Sequence, residues 1–136
     1  MTTLEFSTKG NTDILEITGE IQKIIDKKKF INGICHLFVI GSTAALSACE
    51  DDSNLFEDIK EVLEQIAPYD KNWKHHKTWG DDNGAAHIRA TIIGPGLTVP
   101  VSGGKLVLGT WQKIILIDFD TGPRTRKITV TLVSEN

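Results

Sequence analysis

Apolar residues recur along this chain in two rhythms. In "SNLFEDIKEVLEQIAPY" the residues Leu55, Ile59, Val62, Leu63 and Ile66 fall on one face of a helix. That spacing predicts an amphipathic helix over Ser53 to Ala67, with Ser53 placed to cap its start and Pro68 ending it. "RTRKITVTLVS" has the other rhythm: Ile128, Val130 and Leu132 alternate with Lys127, Thr129 and Thr131. A period of two predicts a strand with one buried and one wet face. In "GTWQKIILID" the run Ile114 to Ile117 is unbroken, so this strand is expected to be central and buried on both sides, with the Ser53 to Ala67 helix covering one face of its sheet.

The same reading extends to the rest of the chain. "GICHLFVI", bounded by Gly33 and Gly41, reads as a buried strand in which His36 is a satisfied side chain rather than a ligand. "LTVPV" and "KLVLGTWQKIILIDFD" are further strand-like runs separated at Gly103-Gly104, and Gly122-Pro123 in "DTGPRTR" reads as a hairpin turn. Near the start, a turn at Lys9 to Thr12 precedes a short strand with Ile14, Leu15 and Ile17, then a helix marked by Ile21, Ile24 and Ile25 with a basic end. Asn83 is placed to cap a helix over Gly84 to Ile93, which Gly94-Pro95 stops. The expectation is one α+β domain over residues 1–136, with a mostly antiparallel sheet and two or three short helices.

Composition narrows the function. At 136 residues and 40% hydrophobic, the chain fits one domain with one core. A net charge of -3 leaves no broad basic surface for a phosphate backbone, which argues against nucleic acid as partner. No apolar run approaches the roughly 20 residues that span a bilayer, and Met1 to Gly10 lacks the apolar region of a secretory signal. Cys35 and Cys49 are too few for a disulfide scaffold and read as small packed residues, so a reduced, cytoplasmic protein is expected.

The chemistry concentrates in "NWKHHKTWGDDNGAAHIRA", which holds His75, His76 and His87. His87 falls in the first turn of the expected helix, where unpaired N–H groups and the helix dipole favour a neutral imidazole. His76 lies eleven residues earlier in a loop, so only loop geometry can bring the two together. His75 and His76, as neighbours, cannot both face one point from extended backbone. Carboxylates are available at Asp58, Asp81, Asp82 and Asp118.

Beyond these patterns, "LTVPVSGGKLVLGTWQKIIL", Asp118 and "GPRTR" together resemble the signature of the YjbQ-like family, small proteins credited with secondary thiamine-phosphate synthase activity. "STAALS", Glu50, Asp58, His76, "NGAAHIRATIIG" with His87, and "TRKITVTL" follow in the family's order. The resemblance implies a polar active-site cleft in which His76, His87 and Asp58 are catalytic and His76 and His87 are the metal ligands if a divalent ion (Mg or Zn) is present. It also implies that Trp111, Gln112, Ser42, Thr43, Arg124 and Arg126 bind a small phosphorylated molecule, and that the chain assembles as a homo-oligomer, most simply a trimer.

Chemically, the implied reaction has a thiazole phosphate nitrogen displace pyrophosphate from a pyrimidine methyl diphosphate. Arginine clamps suit the leaving group and an aromatic surface suits the pyrimidine. Three departures bear on this: the family's third histidine is Gly41, its asparagine beside the glutamate is Cys49, and its glutamate after the Trp-Gln strand is Asp118. Gly41 offers no donor, acceptor or base, which implies little of the family's activity with folding intact. Three readings therefore stand: an enzyme on phosphorylated substrates, a metal- or anion-binding protein without catalysis, and a degenerate member kept for its assembly.

Overall fold

The computed structural model describes residues 1–135. In chain order its elements are β1 (Thr2–Thr8), β2 (Asp13–Glu16), α1 (Thr18–Lys28), β3 (Gly33–Ile40), β4 (Ala44–Cys49), α2 (Ser53–Ile66), α3 (His76–Trp79), α4 (Gly84–Ile93), β5 (Gly96–Ser102), β6 (Lys105–Leu106), β7 (Lys113–Asp118) and β8 (Arg124–Ser134). The α+β expectation holds, and every strand pairing is antiparallel. There are, however, two sheets rather than one: β1-β8-β3-β5-β6 and β2-β7-β4. Four helices rather than two or three are present among the described residues, because His76–Trp79 closes a single helical turn inside the histidine-rich loop.

The two sheets pack face to face. Inward-facing residues of the larger sheet, such as Leu37, Val99 and Val130, meet Leu46, Ile114 and Leu116 of the smaller one, and Ile21, Ile24 and Ile25 of α1 join the same core. The opposite face of the smaller sheet carries Ala45, Ile115 and Ile117, covered by Leu63, Phe56 and Ile59 of α2 and by Ala86 and Ala90 of α4. Strand β7 is thus central in its sheet and buried on both faces, which is why Ile114 to Ile117 show no alternation. Each of those four side chains is at most 2% exposed, and burying one stabilises the fold by about 1.5–3 kcal/mol.

Several local expectations change. The cap of α2 is Asp52, whose side chain accepts from the Asn54 N–H, rather than Ser53. Strand β1 precedes the first strand expected from the sequence; its Leu4 and Phe6 pack on the inter-sheet core. Gly109 to Gln112 lies outside β7, in a turn where the Gly109 N–H donates to Gln112 Oε1 at 3.0 Å. Gly122-Pro123 is not a hairpin turn, because β7 and β8 belong to different sheets. The segment between them crosses from one sheet to the other, and polar residues gather at that crossing.

Candidate functional site

Of the chain's passages between the sheets, β1→β2, β3→β4 and β7→β8 lie together at one end of the sandwich. Register fixes this: Asp118 at the end of β7 pairs with Asp13 and with Ala44, while Arg124 at the start of β8 pairs with Thr8. Backbone bonds tie the passages together, Asn11 N–H to the Asp120 carbonyl and Phe119 N–H to the Thr43 carbonyl. Packed strands would bury polar residues at a cost, whereas a crossing leaves room for them at the end of the core.

Two carboxylates organise this end. Asp118 is fully buried and accepts from Arg126 Nε at 2.7 Å and from Arg126 Nη2 at 2.8 Å, a bidentate pair, and also from the Thr8 hydroxyl. Arg126 Nη2 donates further to the Thr43 hydroxyl, which in turn donates to Asp120 at 3.0 Å. Asp120 also accepts from Arg124 Nε at 3.0 Å, from the Thr121 N–H at 2.8 Å and from Asn83 Nδ2 at 3.4 Å. Burial pushes both carboxyls up, but the hydrogen bonds outweigh it. Arg126 and Thr8 hold Asp118 below the usual carboxylate range, and Thr121, Asn83, Thr43 and Arg124 do the same for Asp120.

A cleft of about 460 Å³ opens over this network. Its floor is Gly41, Ser42, Thr43, Asp120, Arg124 and Arg126, and its far wall is His75 just before α3 with Trp79, Asp81, Asn83 and His87 from α3, α4 and the loop between them. The rings of His75 and His87 lie 4.6 Å apart at 41°, and His75 Nδ1, buried without a hydrogen bond, stands 3.8 Å from Asp81. Asn83 sits at the cap position of α4 but makes no cap bond there; its amide instead donates to Asp120, leaving Oδ1 buried and unpaired. At Gly41 φ is +140°, and a Cβ there would stand 2.7 Å from Arg126 Nη1. The glycine therefore seats Arg126, and a histidine at 41 requires that guanidinium or the backbone to move.

Burial lowers the His87 pKa first, and the neighbouring His75 lowers it further, against the opposing pull of Asp120, Asp81 and the Ser42 backbone. The neutral ring expected from the helix start is thus obtained chiefly from burial. Because the folded value lies below the ordinary 6.5, the unfolded chain binds more protons as pH falls below 6.5. Stability from this group is present above that pH and declines as pH falls toward the folded value. Proton NMR titration of the four histidines is expected to show His87 titrating below 6.5; a midpoint above 6.5 would mean that the acidic neighbours outweigh burial.

Of the residues singled out in the sequence, His87, Ser42, Thr43, Arg124 and Arg126 line this one cleft. The fold does not bring in four others. His76 turns away from the cleft, 3.5 Å from Asp82, and His75 takes the place beside His87. Asp58 lies on α2 beside Leu55 and Ile59, away from the cleft. Trp111 and Gln112 lie beside Cys49 and Glu50 at the other end of β7, roughly 17 Å away along a six-residue strand. Trp111 is 74% exposed there, so it is neither core nor part of the cleft.

Residues that sequence reasoning missed are His75, Asn83, Trp79 and Asp120. A signal existed for Asp120: Asp118 and Asp120, like Arg124 and Arg126, are two apart and so share a side in extended backbone. None existed for choosing His75 over His76, since that depends on the turn of α3. The remaining histidine, His36, is satisfied by Thr98 at 2.8 Å, as expected.

Among the described residues no three His, Cys, Asp or Glu side chains converge as metal ligands, and the cleft does not meet the three-ligand requirement of a catalytic zinc site. Neither cysteine is activated. Burial pushes Cys35 up to about 11, and burial followed by Asp51 and Glu50 raises Cys49. Among the described residues no helix is long and apolar enough to cross a membrane.

Comparison with known proteins agrees with this architecture. A UPF0047 protein of Archaeoglobus fulgidus is 38% identical over 93% of this chain and 96% of its own length, and one of Methanothermobacter thermautotrophicus is 34% identical over 97% and 90%. The crystal structure of a YbjQ-like protein of unknown function from Sulfolobus solfataricus matches with a TM-score of 0.92 at 38% identity, covering 98% of this chain and 96% of that one. A YjbQ/UPF0047 family protein from Clostridium acetobutylicum gives 0.89 at 30% identity, covering 98% and 100%. The family model of the UPF0047 protein YjbQ-like group matches residues 2–135, and with these relatives it establishes that the chain belongs to the YjbQ-like UPF0047 family.

Proposed function

We propose that the cleft is the active site of an enzyme acting on small phosphorylated molecules, of the thiamine-phosphate-synthase type that the sequence resemblance implies. One observation carries this reading: Arg124 and Arg126 line the same cleft, each held through Nε and Nη2 by a buried acceptor, opposite the His75–His87 pair. Guanidinium groups fixed in this way need little reorganisation to bind phosphate oxygens. In the displacement reaction the thiazole nitrogen forms the new bond to the pyrimidine methylene carbon. The carbon–oxygen bond to diphosphate breaks, and diphosphate leaves with the electron pair. The arginines stabilise that developing charge, and a protonated histidine of the pair donates to the departing oxygen. A bound anion raises the proton affinity of His87 beside it, so substrate binding draws from solvent the proton that the reaction uses.

Titration with inorganic phosphate and diphosphate tests the binding part. Arg124→Gln is expected to weaken diphosphate binding about tenfold or more while the fold persists, since Arg124 is half-exposed. Unchanged affinity would remove the clamp from the proposal. The second reading, anion binding without catalysis, is favoured by Gly41, which supplies no acid, base or ligand. Tight diphosphate binding with no thiamine phosphate formed would select it.

We also propose that the chain is a subunit of a homo-oligomer, most simply a trimer. The support is a strip on the outer face of the larger sheet, where Ile34, Phe38, Ile40 and Val133 are each 40% or more exposed. Ile34 and Val133 are register partners on neighbouring strands, and His36 separates them from Phe38 and Ile40 on the same face, so the strip is two apolar patches on either side of one histidine. Sedimentation at micromolar concentration is expected to give a species larger than 15.0 kDa; a monomer would end this proposal.

A further inference from the structure

The wall formed by His75 and His87 has a second side. Behind it lies another cavity, of about 430 Å³, bounded by Trp73, Ile88, Gly84, Lys71 and the same two histidine rings. Its walls are almost wholly apolar, unlike the polar cleft in front. Its shape is built by packing. Trp73 Nε1 donates to the Pro68 carbonyl at 2.8 Å, and Lys71 Nζ stands 4.4 Å from the centre of the indole ring. At the start of α4, a Cβ on Gly84 would lie 2.9 Å from Trp73 Cβ and 3.2 Å from His75 Cβ. The loop carrying Trp73 and His75 therefore rests directly on the helix, and only glycine permits that approach.

We infer that this cavity is a second subsite of the same binding site, taking the uncharged planar part of a ligand whose anionic group lies against Arg124 and Arg126. The inference rests on the anion-binding reading of the cleft and adds the position and chemistry of the ligand's other end. Three features carry it. The cavities share His75 and His87 as lining residues, so a ligand that spans both lies against that pair. A volume of this size accommodates one small ring with its substituents, and rings in apolar cavities lined by indole and aliphatic carbon are held by area burial and stacking. Lys71 faces the indole, so a cation at that place does not call for a second anion in the cavity.

Benzyl phosphate, inorganic phosphate and benzyl alcohol, followed by calorimetry and by NMR of the Ile88 methyl and Trp73 indole signals, test the inference. Benzyl phosphate is expected to bind at least about tenfold tighter than inorganic phosphate and to shift both signals, because burying a ring adds more than one factor of ten. Ile88→Trp, which fills the cavity, is expected to abolish that gain and leave phosphate binding as it was. Ile88→Val, which enlarges the cavity with little risk to folding, is expected to retain the gain, so a misfolded tryptophan variant does not decide the matter. Equal affinity for benzyl phosphate and phosphate, or a gain that survives in folded Ile88→Trp, would overturn the subsite. If phosphate fails to bind while benzyl alcohol shifts Ile88 and Trp73, the anion reading falls and the apolar subsite stands.

Discussion

Replacing Arg89 by methionine is expected to lower the free energy of unfolding by about 3 kcal/mol, although Arg89 touches no residue of the arginine clamp. Arg89 is 1% exposed on α4. Its Nε and Nη2 donate to the Ala67 carbonyl at 3.0 and 2.9 Å, and its Nη1 donates to the Thr12 hydroxyl at 2.8 Å. It also lies 4.1 Å over the Tyr69 ring, whose hydroxyl donates to the Phe119 carbonyl. One side chain thus satisfies the end of α2, steadies the passage from β1 to β2, and holds α4 in place. Methionine keeps much of the volume but leaves the Ala67 carbonyl without its two donors, which accounts for most of the loss. The ion pair with Glu64 at 2.7 Å adds little, because Glu64 is half-exposed. Urea unfolding of the wild type and the variant measures the difference, and a change below about 1 kcal/mol would show that α2 and α4 are held by their apolar contacts alone.

Removing Arg126 is expected to have a larger effect, both on stability and on anion binding. Asp118 is 0% exposed, and taking away a buried ionic partner commonly costs about 3–5 kcal/mol because the remaining charge is left uncompensated. Arg126→Met is therefore expected to destabilise by that amount and to abolish phosphate binding. The double variant Arg126→Met with Asp118→Asn separates the two effects. It removes the stranded charge, so stability is expected to return in part while phosphate binding stays lost. Equal stability of the single and double variants would mean that Asp118 does not depend on Arg126. The acid limb of stability has the same origin. Both Asp118 and Asp120 sit below their ordinary value of 3.8, so their contribution is present above that pH and is lost as pH falls through the lower folded values.

Most of the secondary structure was legible because it depends on local periodicity. The unbroken Ile114 to Ile117 run marks a strand buried on both faces, the alternation from Ile128 to Leu132 marks β8, and the helical stripe from Leu55 to Ile66 marks α2. "GPRTR" and the Ser42-Thr43 pair entered as candidates through the family resemblance, and they line the cleft. Local pattern is silent about which strands share a sheet. A turn at Gly122-Pro123 looks the same whether the next strand folds back on its neighbour or crosses to another sheet, and only the packing of two apolar faces selects the crossing.

That choice decided the site. Crossing between sheets places Asp118, Asp120, Arg124 and Arg126 over the Gly41 to Thr43 passage, and the single turn of α3 presents His75 to His87 while turning His76 toward Asp82. It also carries Trp111 to the opposite end of β7, where Trp111 and Gln112 lie apart from the cleft. The amino-acid sequence by itself determined most of the elements, though not β1 or α3, together with the α+β class and the residue types available for phosphate chemistry, since these follow from hydrophobic period and composition. Only the tertiary structure decided which of those residues meet, because a bond between Arg126 and Asp118 or the approach of the His75 ring to that of His87 depends on side chains brought together across sheets and loops, and no spacing along the chain encodes that meeting.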